Sequence, residues 1–211
     1  MNYKEFTNQE IIDMDTDYRI QLINSLGGFK SICLIGTKNK QKQSNLGLFN
    51  SVFHLGSAPA LYGFVCRPAD RERHTLENNL ETKSYTINQV QQSFYKKAHQ
   101  ASAKYPREVS EFDKVQLTEE YIENIHAPFV KEARIKFSLE LAETHNMMNK
   151  NTIIIGRVKH VKVEEKLLNE KGFIQLDQAD TITGSGCDAY YKTKFIERLP
   201  YARPEQEHNI S

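Results

Sequence analysis

The chain reads as a mainly β protein, an antiparallel barrel with peripheral helices, on three observations. Residues 134–141 alternate strictly, with Ile135, Phe137, Leu139 and Leu141 on one face and Arg134, Lys136, Ser138 and Glu140 on the other. That is the period-two pattern of a half-buried antiparallel strand. Short apolar runs rich in β-branched residues recur at 31–37, 60–66 and 152–163, set apart by polar turns. No regular crossover helices stand between these runs, which argues against a doubly wound parallel sheet and for a closed antiparallel one.

The elements follow in order. Asp15 and Thr16 open a helix whose apolar residues are Tyr18, Leu22, Ile23 and Leu26, ended by Gly27-Gly28. Residues 31–37 form a buried strand, and Lys38-Asn39-Lys40-Gln41-Lys42-Gln43 a turn. Strands are expected at 44–54 and 60–66, a helix from Thr75 to about Thr82, and a strand at 84–90. The pattern then changes. Residues 91–125 are polar and helical in character, with Thr118-Glu119-Glu120 as a helix start. After the alternating strand, 145–150 is a loop, 152–163 a long strand centred on Ile153-Ile154-Ile155-Gly156, and 188–199 a last aromatic strand. The expected organisation is one domain: barrel core at about 15–90 and 130–204, a helical excursion at about 91–129, and a frayed tail from 204, with 205–211 outside the core.

Composition narrows the function classes. The chain of 211 residues is long enough to bury a sizeable core. Lys plus Arg is 28 against 27 for Asp plus Glu, so no basic stripe asks for nucleic acid. Cys33, Cys66 and Cys187 lie far apart without CxxC spacing, and no His cluster has metal spacing. A reducing, cytoplasmic setting is expected, with no signal peptide in the polar start and no apolar run long enough to cross a bilayer.

Two stretches carry candidate chemistry. In Ser44-Asn45-Leu46-Gly47, Gly47 permits close approach to the backbone, and Asn45 offers a donor and an acceptor to a ring edge. Asn50 and Ser51 lie further along and suit a polyol or phosphate. From spacing alone these residues also fit an ordinary solvent-facing strand. The second stretch gathers Arg67, Arg71, Arg73 and His74 just before the helix that starts at Thr75. Helix N-termini carry free N–H groups and partial positive charge, which hold phosphate. A solvated charged loop is the alternative. His99, in Lys97-Ala98-His99-Gln100, is a surface histidine or a group that meets the ligand. Free cysteines are usually small buried hydrophobes, and Tyr190 and Tyr191 more often pack as strand aromatics. No GxGxxG follows a strand, which excludes a Rossmann dinucleotide module.

The order of motifs resembles the flavin-reductase-like family of FMN-binding split β-barrels, which includes flavoredoxin-like proteins. The residues that carry the resemblance are Ile35-Gly36-Thr37, Asn45-Leu46-Gly47-Leu48-Phe49-Asn50-Ser51, Pro59 and the apolar strand behind it, the basic loop, and Thr75-Leu76-Glu77-Asn78-Asn79. Ile87-Asn88, Ser110-Glu111-Phe112, Ala127-Pro128-Phe129-Val130 and Ile155-Gly156-Arg157-Val158 complete it, over roughly residues 15–204. One departure stands out. Thr183-Gly184-Ser185-Gly186-Cys187 replaces the Arg and paired glycines of many relatives.

The resemblance implies FMN as cofactor. It assigns the ring and ribityl chain to Ser44, Asn45, Leu46, Gly47, Asn50 and Ser51, and the phosphate to Arg67, Arg73, His74 and Thr75, with Cys66 beside them. It also implies NADH or NADPH as electron donor, a homodimer with flavin near the subunit interface, and an NAD(P)H-dependent flavin reductase. A non-enzymatic flavin-binding electron carrier is the alternative, and a barrel that binds some other small ligand a third. His99 lies in a region that overhangs the flavin in similar proteins.

Overall fold

The computed structural model describes residues 1–68 and 72–203. Arg71 and the tail expected from 204 onward lie outside them.

The chain opens with α1 (Asn8–Asp13), which the sequence reading missed. Its signal is a capping box in which Thr7 and Glu10 satisfy each other's backbone N–H groups. In α2 (Thr16–Ser25), Asp15 accepts from the N–H groups of Asp17 and Tyr18 at 3.0 Å each. The first strands are β1 (Lys30–Ser31), β2 (Cys33–Lys38) and β3 (Ser44–Phe49). The strand expected at 44–54 is in fact two, because β4 (Phe53–Ser57) begins afresh after Asn50, Ser51 and Val52. The break has a physical cause. The Ser51 hydroxyl accepts from Val65 N–H at 3.1 Å and donates to Val65 C=O at 3.3 Å, taking the place of a backbone rung. Val65 belongs to β5 (Ala60–Cys66). Next come α3 (His74–Thr82) and β6 (Ser84–Gln89).

The excursion is helical only in α4 (Tyr95–Gln100) and α5 (Glu111–Val115). The helix expected at Thr118 is instead a strand, β7 (Glu119–Glu120), paired with β8 (Phe129–Val130). Gln116 ends α5 in the left-handed region at φ 55, and the carboxylate of Glu132 takes the Thr118 N–H that a helix start would leave free.

The long hairpin of β9 (Ile135–Asn146) and β10 (Thr152–Val163) follows, then a short 3₁₀ turn at Glu165–Leu167. The chain closes with β11 (Ile182–Ser185), which was not foreseen, and β12 (Ala189–Lys192). The last strand is shorter than the expected 188–199, because its ladder with β11 ends at Ile182–Lys192.

Seven strands form one antiparallel sheet in the order β3-β2-β6-β9-β10-β5-β4. Its two edge strands are consecutive in sequence and joined only by Asn50–Val52, so the sheet has to curl until its edges approach. This is the split β-barrel that the sequence predicts. Inside it pack Ile35, Phe64, Tyr85, Ile87, Leu139 and Ile154. Outside, Ile32, Leu34 and Leu46 share a second cluster with Phe94, Ala98, Phe112 and Val115 of the excursion. The strand β2 is therefore buried on both faces, which explains its unbroken apolar run.

Burial of β9 departs from the expected half. Lys136 and Ser138 are as buried as the apolar face. The β7–β8 arm covers them. The Lys136 ammonium donates to the carbonyls of Val130 and Lys131 at 2.8 and 3.1 Å and pairs with Glu120 at 2.7 Å. Among the described residues no helix is long and apolar enough to cross a membrane.

Candidate functional site

The site is built where β3, β2 and α3 meet. The ladder between β2 and β3 sets Thr37 opposite Asn45 and Ile35 opposite Gly47. Asn45 therefore reaches both Thr37 Oγ1 at 3.2 Å and Thr75 Oγ1 at 2.9 Å through its amide nitrogen. Asn78, one turn into α3, also donates to Thr37 Oγ1, at 3.1 Å. A side chain on Gly47 would point into this group, since a Cβ there would lie 3.2 Å from Thr75 Oγ1 and 2.9 Å from the Phe49 ring.

The start of α3 is the second part. Arg73 is its N-cap, and no side chain caps the helix among the described residues. Such a terminus presents its first N–H groups and its positive dipole end to whatever lies in front. Arg73, His74 and Thr75 stand around it. Arg73 Nε donates to Pro68 C=O at 3.1 Å, its N–H donates to Glu77 Oε1 at 2.9 Å, and His74 lies 3.3 Å from Glu72. An uncapped helix end ringed by cationic side chains is chemically suited to a phosphate.

The other expected residues are placed as follows. The Ser44 hydroxyl is 3.3 Å from that of Ser110 and donates to Glu119, so it ties β3 to the excursion. Leu46 packs in the outer cluster, and its N–H donates to the buried Glu111 carboxylate at 3.1 Å. Its side chain and N–H are thus both committed to the protein. Burial raises the Glu111 carboxyl above the usual carboxylate range, although the Leu46 N–H opposes this. Asn50 donates to Gly186 C=O at 3.2 Å, which holds the β11–β12 turn against the end of β3, while Ser51 is engaged with β5.

Arg67 is exposed at the end of β5. The Cys66 thiol faces the barrel core, and burial pushes it up to about 12 despite the nearby Arg73 charge. Cys33 is pushed up to about 11 by burial. Neither is a thiolate at neutral pH, which removes both from redox chemistry. His99 Nδ1 shares a 2.6 Å hydrogen bond with the Tyr190 hydroxyl, joining α4 to β12. Tyr191 of the same strand lines a cleft of about 330 Å3 with Tyr18, Leu22, Gly186 and Asp188.

Sequence reasoning missed four residues that the fold brings here: Thr37, Asn78, Arg107 and Glu111. Three of them stood inside motifs it quoted, at the end of the first apolar strand, after Thr75 and before Phe112. Arg107 gave no local signal.

Comparisons with known proteins agree with this geometry. A split-barrel protein of Shewanella frigidimarina assigned as a flavin reductase is 44% identical, with a TM-score of 0.91 over 95% of this chain and all of that one. Nitrilotriacetate monooxygenase component B of Bacillus cereus shares the fold at 21% identity and TM-score 0.83, over 94% of this chain and 100% of that one. An FMN-binding protein of Thermus thermophilus shares it at 22% identity and TM-score 0.66, over 82% and 90%. The flavin reductase like domain family matches residues 29–181, most of the chain, and the protein belongs to that family.

Proposed function

We propose that the chain is a flavoprotein that holds FMN along β3 with its phosphate at the start of α3, and that it acts as an NAD(P)H-dependent flavin reductase. The observation that carries this is the uncapped N-terminus of α3, ringed by Arg73, His74 and Thr75 and tied to β3 through Asn45. When bound, flavin supplies the hydride-accepting chemistry, and the protein supplies orientation and electrostatics. No protein acid or base is needed for hydride delivery to flavin. Binding residues are then the whole of the requirement. The family membership and the 44% identical Shewanella protein support the oxidoreductase reading. The departure at 183–187, where no Arg stands in the β11–β12 segment, favours a second reading as a flavin-binding electron carrier.

Denaturing release from the purified protein should yield FMN, and anaerobic NADH or NADPH should bleach the bound flavin. Release of no flavin, and no uptake of added FMN, would discard both readings. Bound FMN that neither nucleotide bleaches leaves the carrier.

A second copy of the chain is proposed as partner. Support comes from an exposed apolar surface on and beside α2, where Tyr18 is 50%, Leu26 71% and Phe29 65% accessible, and where the Phe29 ring lies 4.8 Å from that of Tyr191. Contiguous surface of this kind marks a protein interface. Sedimentation should give twice the chain mass of 24.4 kDa, and a monomer at micromolar concentration rejects the assignment.

A further inference from the structure

The excursion sends one cation back to the start of α3. Arg107 pairs through Nη2 with Glu77 Oε2, and its Nη1 donates to Asn78 Oδ1 at 3.4 Å. The other oxygen of the same carboxylate, Glu77 Oε1, accepts the backbone N–H of Arg73 at 2.9 Å. A single carboxylate thus spans from the guanidinium of the excursion to the N-cap of the helix. Asn78 continues the connection to Thr37, and Thr37 to Asn45.

The geometry points to Arg107 as a specificity-determining positioning residue: through Glu77 it sets the phosphate end of the flavin site. This rests on the FMN reading above. Two physical effects act together. Glu77 lies in the first turn of α3, where its negative charge would repel a phosphate in front of the helix, and the guanidinium offsets that charge. The same contact keeps the carboxylate in place as the clamp on the Arg73 backbone, and so keeps the N-cap geometry that leaves the helix end open. The pair itself adds little to folding, because the side chains of Arg107 and Glu77 are 31% and 46% exposed and solvent screens them. A partly exposed ion pair of small worth to the fold, placed where it governs the electrostatics of an anion site, is better explained by ligand selection than by stability. Arg107 touches no part of the barrel core, so its effect on flavin is confined to the phosphate.

The test compares FMN with riboflavin, which lacks the phosphate. Dissociation constants are measured by quenching of flavin fluorescence for the wild-type chain, Arg107→Met and Arg107→Lys. Arg107→Met should weaken FMN about tenfold and leave riboflavin unchanged, and Arg107→Lys should recover most of the FMN affinity. An equal fall for both flavins would reduce Arg107 to a structural residue, and an unchanged FMN affinity would remove it from the site. If the wild-type chain binds the two flavins equally, the phosphate reading itself fails, and that failure is seen before any variant is made.

Discussion

Gly47→Val is expected to give a folded protein that carries no flavin. The strand conformation itself tolerates valine, a good β residue. The space does not. A Cβ at 47 already lies 2.9 Å from the Phe49 ring and 3.2 Å from Thr75 Oγ1, and the two further methyl groups would have to displace one or both. Phe49 is half-buried and its ring edge is free to tilt, so the cost to folding is that of moderate overpacking, about 1–3 kcal/mol. For a chain of this size that lowers Tm by roughly 2–10 °C. Displacing the Thr75 hydroxyl breaks its bond with Asn45, which links β3 to α3, and the methyl groups fill the face on which the ring is proposed to lie. Circular dichroism reports the fold, and visible absorbance after desalting reports occupancy. A folded Gly47→Val protein that is fully yellow takes β3 out of the site.

Arg73→Ala is expected to weaken FMN roughly tenfold to a hundredfold. A charge-assisted hydrogen bond to phosphate is typically worth about 1.5–3 kcal/mol, and each 1.4 kcal/mol is a factor of about ten in affinity. Arg73 is the N-cap of α3, so its backbone stays in place when the side chain is removed, and Glu77 still receives its N–H. The lost fold contact is the single bond from Nε to Pro68 C=O, worth about 0.5–1.5 kcal/mol. Isothermal titration with FMN and thermal melting of the apo-protein separate the two effects. If Arg73→Ala binds FMN normally while Arg67→Ala does not, the exposed arginine at the end of β5 is the phosphate ligand.

Both variants act on residues already singled out in the sequence, whereas Arg107 and Glu111 emerge only once the chain is folded. The difference has a physical basis. Motifs at β3 and at the start of α3 are local, so residue type and order suffice to mark them: a glycine, an asparagine, then arginines before a helix start. Contacts from the excursion are long-range. Arg107 meets Glu77 and Glu111 meets Leu46 across some of the largest sequence separations in the site, and no local pattern encodes where a polar loop will land.

The sequence by itself determined the mainly β class, the bounds of β5 and β10, the helix α3 and the strand β6 within a residue, and the family. Strong periodicity and turn composition decide these without help from distant residues. Tertiary structure alone decided where the chain breaks between β3 and β4, because Ser51 takes a rung on β5 that only barrel closure brings near. It decided that Thr118 starts a strand, because the Glu132 carboxylate and β8 compete successfully with a weak local helix signal. It decided too that Lys136 is buried, because alternation shows which residues share a face but not what will cover that face. In this chain the β7–β8 arm lies over it, and Glu120 supplies the charge that makes burial of an ammonium tolerable.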